Sequence, residues 1–302
     1  MASARPHPNR LLGIALRIGA ASCFGCMGAA IKLGYDAGVS MPELVFYRFV
    51  FGLPPLLLWI AASGNAGAWR TQRPMTHVWR ACLGLTTMAL TFSALFYLPL
   101  AEATTIAFAA PLFSVILSAT LLKEPVGRHR WSAVAIGFAG VMVVMQPHGE
   151  ALPPIGLAIA IAGALGVGAV TITLRQIGRT EGTQTIVLWF TCLSLLGSGL
   201  LLPIYGRAHG GHGWLILVAV GSFGGIGQLL MTASLRYAEV PVIVPFDYAQ
   251  LLWAVLLGWL LFADRPPAST WVGAAIIVAS GLYTLYREHR LGRDRLRTAS
   301  TL

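Results

Sequence analysis

Charge is what this sequence has least of. Only 11% of its 302 residues are Asp, Glu, Lys or Arg, where a soluble domain carries about 25%. So few charges cannot cover the surface of a globule of this length, and a soluble fold is excluded. Disorder is excluded by the 56% of hydrophobic residues. Acidic residues are the scarcer kind, 11 against 21 Lys and Arg, for a net charge of +10. The basic excess does not point to nucleic acid, because Lys and Arg fall in short clusters between apolar runs, which is how membrane topology is written. Cysteine is sparse as well. Cys23, Cys26, Cys82 and Cys192 all lie inside apolar segments. The Cys23-x-x-Cys26 spacing lacks the polar, accessible surroundings of a redox or zinc site and reads as helix packing. The first apolar stretch, Leu11 to about Leu33, shows no small-residue cleavage site, so no cleavable signal peptide is expected.

What is there is a series of apolar runs. At about 20 residues per crossing, ten segments emerge, about 11–34, 42–62, 78–98, 102–122, 131–147, 154–175, 184–204, 213–236, 241–262 and 269–286. Pro, Gly and charge mark the breaks. No connection exceeds about 15 residues, which leaves no room for a soluble catalytic domain. With the N-terminus inside, sixteen Lys and Arg fall on the inner side, among them Arg70, Arg73, Lys123, Arg128, Arg179 and the tail Arg287 to Arg297. The outer side holds three, Lys32, Arg207 and Arg265, while Arg17 and Arg48 lie within helices. That bias places both termini in the cytoplasm and requires an even number of crossings.

The two halves repeat. A shift of 143 positions pairs Gly13 with Gly156, Ala21 with Ala164, Gly25 with Gly168 and Lys32 with Arg175. A shift of 137 pairs Gly84 with Gly221 and Ala101-Glu102 with Ala238-Glu239. Lys123-Glu124-Pro125 then Trp131 is answered by Asp264-Arg265-Pro266 then Trp271, acid and Trp seven apart in both. Each half has five helices, an odd number, so the second copy must enter the membrane upside down. The expected fold is therefore all-α, ten transmembrane helices in two inverted five-helix repeats, residues 1–150 and 151–302. Inverted repeats around a midplane site are the architecture of secondary transporters.

The stretch Leu98 to Gly140, LPLAEATTIAFAAPLFSVILSATLLKEPVGRHRWSAVAIGFAG, resembles the first-repeat signature of the EamA family in the drug/metabolite transporter superfamily. The stretch from Ser234 to Tyr286, with its PFDYAQLLWAVLLGWLLF core, resembles the matching second-repeat signature. The resemblance runs from about Leu11 to Arg287. It implies ten helices, an inner-membrane location and movement of small metabolites, often export of amino acids. Within the family the sequence is similar to aromatic amino-acid exporters and, about as closely, to carriers of S-adenosylmethionine.

Small residues recur at helical spacing, as in Gly25, Gly28 and Ala29, in Gly168 and Thr171, and in Gly221, Gly224, Gly225 and Gln228. They either let helices approach closely or line a pathway. Gly163-x-x-Gly166-x-Gly168 has no strand before its helix and is not a nucleotide loop; without a phosphate-binding loop, ATP drive within this chain is excluded. Lys32 breaks the inside bias and continues a small-residue face. It and Arg175 either snorkel to the interface or attract a substrate carboxylate at opposite mouths.

Arg48 and Asp247 are costly, because a charge at the centre of a membrane helix costs about 2.5–3.5 kcal/mol on insertion scales. Arg48 lies five residues beyond Glu43, about 140° around the helix and too far for a local pair. It is expected to bond another helix in a structural or gating role, as is Arg175. Asp247 shares a stripe with Gln250, Ala254 and Gly258 and is the best candidate for a proton site. Phe96, Tyr97, Phe108, Tyr248 and Trp253 are the aromatic candidates for a substrate cage, with Gln228 beside them. Glu102 and Glu239 begin helices and read as caps. Glu124 and Asp264 read as loop-boundary residues. His209 and His212 lack a third ligand, so neither a metal nor another cofactor is expected.

The function expected is export of small polar metabolites, most of all amino acids, by alternating access, from a monomer or weak dimer in contact with lipid. The alternatives are an uptake carrier for S-adenosylmethionine or another metabolite, or a multidrug efflux carrier, of the same fold. A polytopic membrane enzyme ranks below them, since its acidic and His residues would cluster at one interface. A channel would need rings of charge that are not visible.

Overall fold

The computed structural model describes residues 10–123, 126–145, 152–178, 180–238 and 240–300. Among them every regular element is helical. The first half holds α1 (Arg10–Asp36), α2 (Met41–Ala62), α3 (Pro74–Tyr97), α4 (Leu100–Ala107), α5 (Ala110–Thr120) and α6 (Arg128–Met145). The second holds α7 (Pro154–Ile177), α8 (Thr183–Gly199), the single turn α9 (Leu202–Tyr205) and α10 (Gly211–Tyr237). It closes with α11 (Val240–Ile243), a 3-10 stretch at Val244–Tyr248, α12 (Ala249–Phe262) and α13 (Ala268–Ser300). Each of the ten apolar segments thus contains helix. By length and composition seven can cross a membrane, those of α1, α2, α3, Leu100–Thr120, α7, α10 and Pro245–Phe262. The apolar parts of α6 and α13 are shorter, Trp131–Met145 and Ala268–Tyr283, and α8 has 17 residues. The chain is a multi-pass membrane protein.

Two segments expected as continuous helices are broken. Pro111 has no N–H to give the carbonyl of residue 107, and α4 ends there. Around the break the ladder tightens, with Ala109 N–H bonding Ile106 O at 2.9 Å and Leu112 N–H bonding Ala109 O at 2.9 Å. In the second half Pro245 does the same, and the chain passes through a 3-10 turn before α12. The breaks fall in the fourth segment and in the ninth, the fourth of its own half. Lys123 (φ 51°) and Ala263 (φ 56°), each one residue before the acid of the paired Lys-Glu-Pro and Asp-Arg-Pro motifs, are the non-glycine left-handed residues among those described.

The halves interlock rather than lie side by side. α1 packs on α10 and α12, α7 on α3 and α5, and α6 on α13. Buried Ile31, Leu44, Leu98, Leu100, Ile106 and Leu217 form the common core. Small residues set the spacing: a Cβ on Gly273 would stand 2.6 Å from the carbonyl of Gly140, so α6 and α13 touch backbone to backbone. At Gly25, Gly168, Gly221 and Gly225 the small-residue faces are likewise packing surfaces, against Trp253, Phe113, Phe51 and Gly52.

Each end of the bundle is tied by a buried or half-buried acid. Ser40 and Glu43 form a capping box that starts α2. Glu43 Oε1 also accepts the N–H of Arg207 at 2.8 Å and lies 2.7 Å from His209 Nε2, fastening the loop before α10. At the other end Glu181, before α8, accepts the Thr71 hydroxyl at 2.8 Å and the Gln72 N–H at 3.4 Å from the loop before α3.

Candidate functional site

The helix breaks open onto a cavity of about 740 Å3. Its walls come from α1 (Ala21, Phe24), the α4–α5 break (Thr104, Phe108, Ser114), α7 (Thr171, Arg175), the α11–α12 break (Asp247, Tyr248, Gln250) and Gly281 of α13. Ser118, Val126 and Arg175 mark the end at which it begins. A smaller cavity of about 200 Å3 shares Phe24, Thr104, Ala107 and Gln250 with it and continues toward Ile31 and Leu95. Beyond Ile31 the helices close. Lys32 Nζ donates to Leu98 O at 3.1 Å and to Asp264 Oδ2 at 3.3 Å, lying over the Phe262 ring. Tyr35 stacks on Phe96 at 4.4 Å beside it. The passage is thus roomy at the Arg175 end and shut at the Lys32 end.

Aromatic rings and one ion pair give the main cavity its character. Phe108 and Tyr248, one at each helix break, lie 4.9 Å apart and tilted by 57°. Asp247 forms a two-point ion pair with Arg17, through both carboxylate oxygens and the Nε and Nη2 of the guanidinium. This fork-to-fork geometry fixes orientation as well as charge, and it ties α1 to the turn before α12. Ser114, Ser118, Thr104, Thr171 and Gln250 add neutral hydrogen-bonding groups. The site therefore offers flat apolar surfaces, neutral donors and acceptors, and a self-compensated charge pair.

Of the residues expected from sequence, the structure brings Phe108, Asp247, Tyr248 and Arg175 together on this cavity. Others lie elsewhere. Lys32 meets the carboxylate of Asp264, and Phe96 packs against the core under Tyr35. Tyr97 is 46% exposed with its Cβ against Gly156. Trp253 presses on Gly25 and donates its indole N–H to Ser22 at 2.7 Å. Gln228 lines a separate crevice with Arg48, Gly224 and Gly225.

Five expectations on single residues need correction or limits. Arg48 was expected to bond another helix; it faces α10 across Gly224, but its buried Nε has no partner among the described residues, and its guanidinium lies over Phe49, 5.1 Å from the ring centre. Glu102 stands in the first turn of α4 as expected, yet its carboxylate accepts the Thr270 hydroxyl of α13. Asp264, read as a loop boundary, carries the ion pair to Lys32. Glu124 and Glu239 lie outside the described residues. Sequence reasoning missed Arg17 as the partner of Asp247. The signal was present, since an Arg and an Asp both placed within membrane helices each require a partner.

Comparison with known proteins agrees with this architecture. A solved crystal structure superposes with a TM-score of 0.62 at 23% identity, covering 91% of this chain and 97% of the other. The riboflavin transporter of Vibrio cholerae is 28% identical over 85% of this chain and 86% of its own. An uncharacterized transporter of Helicobacter pylori is 29% identical over 90% and 94%. The S-adenosylmethionine uptake transporter of Rickettsia felis is 25% identical over 82% and 84%. The sequence profile of the EamA-like transporter family matches residues 11–146 and again residues 154–286. The chain belongs to the EamA-like transporter family.

Proposed function

We propose that this protein is an inner-membrane carrier that takes up a planar, heteroaromatic metabolite of flavin or nucleoside size by alternating access. The observation that carries the reading is the cavity of about 740 Å3 with Phe24, Phe108 and Tyr248 in its walls. That volume lies within the range of about 300–1,000 Å3 that holds drug-sized ligands, and it exceeds what a single amino acid fills. Relatives named as a riboflavin transporter and as an S-adenosylmethionine uptake transporter point the same way. Amino-acid export, the first expectation from sequence, has no such support, and the uptake alternative replaces it.

Ten crossings in two inverted repeats are part of the proposal. Its support is the double family match, the two breaks at equivalent segments, the two left-handed residues at equivalent motifs, and the exchange of partners in which the first helix of each half packs on the third of the other. The positive-inside bias then puts the Lys32 end outside and the Arg175 end, with both termini, in the cytoplasm. The structure is in this reading an inward-facing state. One chain encloses the whole cavity, so a monomer suffices. The two broken helices supply the polar backbone and aromatic contacts at the site, and the Arg17–Asp247 pair holds the α11–α12 turn in place.

The test is uptake of radiolabelled riboflavin, S-adenosylmethionine and a panel of amino acids into proteoliposomes. Saturable uptake of one of the first two, with the amino acids inert, is expected. Transport confined to amino acids would overturn the substrate class.

A further inference from the structure

Two acids are almost wholly buried near the Lys32 end, and their surroundings differ. Glu43 takes donors on both oxygens, from Ser40, Arg207 and His209, as a permanently charged carboxylate requires. Glu102 is 3% exposed and has one side-chain donor, the Thr270 hydroxyl at 2.9 Å on Oε1. Its Oε2 is buried without a partner among the described residues. Leu98, Leu100, Ala101, Ala103 and Ile106 surround it in sequence, all buried. A buried carboxylate oxygen left without a donor costs several kcal/mol while the group is charged.

The charged groups that act on Glu102 electrostatically are Lys32 of α1 and Asp264 after α12. Arg265 and Asp36 at the same end are exposed. The other helices packed on α4 carry their described charges at the far end: His77 and Arg80 open α3, Arg128 and His129 open α6, and Arg175 closes α7. A proton on Glu102 therefore acts on one contact, the Lys32–Asp264 pair that joins α1 to the end of α12 over the closed passage.

We propose, on the carrier reading above, that Glu102 is the proton-binding site of this transporter and that loading it seals the mouth at the Lys32 end. With Oε2 protonated, Glu102 offers Lys32 no charge, and the ammonium stays on Asp264 and Leu98 O. When the proton leaves Oε2 for water at that mouth, the carboxylate competes with Asp264 for Lys32, and the bridge over the passage loosens. Ala103 and Thr104, the next two residues, line the inner cavities, so the sealed state can lose its proton toward the opposite end. Proton entry at one side and exit at the other couples the cycle to a pH gradient.

The experiment uses the full chain with Cys23, Cys26, Cys82 and Cys192 replaced and Thr91→Cys introduced, a near-isosteric reporter in the inner cavity. An impermeant maleimide is applied from the Lys32 side between pH 5.5 and 8. Labelling is normalised to Gly210→Cys, a reference at open space on that side. With Glu102 present, relative labelling should rise at least about fivefold from acid to alkaline pH. Glu102→Gln should label slowly and without pH dependence, while Glu102→Asp should keep the dependence with a shifted midpoint. Labelling of Thr91→Cys from the opposite side should persist in Glu102→Gln, which shows that the variant is folded. A pH dependence unchanged in Glu102→Gln, or abolished equally in Glu102→Asp, would overturn the assignment of Glu102. A reporter unreachable from either side in the unmodified background would overturn the carrier reading itself.

Discussion

The hydroxyl of Tyr248 lies where a side chain at position 281 would begin. A Cβ built on Gly281 would stand 2.3 Å from it, so α13 carries glycine there to leave the ring its place in the cavity wall. In Gly281→Ala the ring must swing away from α13 and change its contact with Phe108. Overpacking of this kind costs about 1–3 kcal/mol. The expected result is a raised KM for the transported solute with little change in the amount of folded protein. Adding Tyr248→Phe, which removes the colliding oxygen, should restore KM toward the original value. No rescue would mean that the hydroxyl is needed for the solute and not only displaced by the new methyl.

Arg17 and Asp247 are a closed pair, and removing one partner leaves the other charged and buried. Breaking such a pair costs about 3–5 kcal/mol, an upper figure here because the Asp247 side chain is 33% open to the cavity. Arg17→Gln and Asp247→Asn should each lower the thermal unfolding midpoint in detergent. The double variant should be less destabilised than the sum of the two, because the groups share one interaction. Strict additivity in that cycle would show that each residue has its own partner in the membrane.

The apolar stretches that hold the helices were legible in the sequence, because bilayer thickness fixes helix length and Gly, Pro and charge mark the ends. The breaks within the fourth and ninth segments were not seen, although Pro111 and Pro245 stood in plain sight. A hydropathy window averages over one missing hydrogen bond, and proline is tolerated in membrane helices often enough that it does not by itself announce an interruption. Asp247 stood out because a charge within a membrane helix is costly and because it shares a stripe with Gln250, Ala254 and Gly258. Phe108 and Tyr248 stood out as aromatic candidates for a cage; all three line the main cavity. Lys32 was identified through its breach of the charge bias, but its partner Asp264 lies 232 positions away. Pairings across that distance depend on how helices are arranged, which periodicity does not encode. The placement of Glu102 at a helix start was legible, and its partner was not. In sequence it sits where a helix N-terminus favours an acid, and only the packing of α13 shows that one oxygen is shut away.

Glu43 fastens the loop before α10 to the start of α2. Glu43→Ala would remove the acceptor of the Arg207 and Ser40 N–H groups and the partner of His209 at once. An unsatisfied buried group costs about 1–3 kcal/mol, and the loss should appear as a lower unfolding midpoint together with faster proteolysis of the 206–210 loop in right-side-out vesicles. His209→Ala removes one of these contacts and should cost less. A proteolysis rate unchanged in Glu43→Ala would show that the loop is held by other groups.

Pro111 tests whether the broken helix serves the site or merely decorates it. With Pro111→Ala the chain regains an N–H that the carbonyl of Ala107 can accept, and α4 can run on into α5. Proline in a helix interior is about 3 kcal/mol worse than alanine; at the second position of α5 the penalty is largely avoided, so straightening the helix is what the substitution would favour. A continuous helix would draw Phe108 and the backbone of residues 107–109 out of the cavity wall and away from Tyr248. Transport should fall at least tenfold, about 1.4 kcal/mol in the barrier, while the unfolding midpoint stays level or rises. Gain in stability with loss of transport is the signature of a helix kept broken for function. A variant that transports normally would show that the break follows from packing alone, and the aromatic pair across the two breaks would then have to be held by Gly281 and the α11–α12 turn.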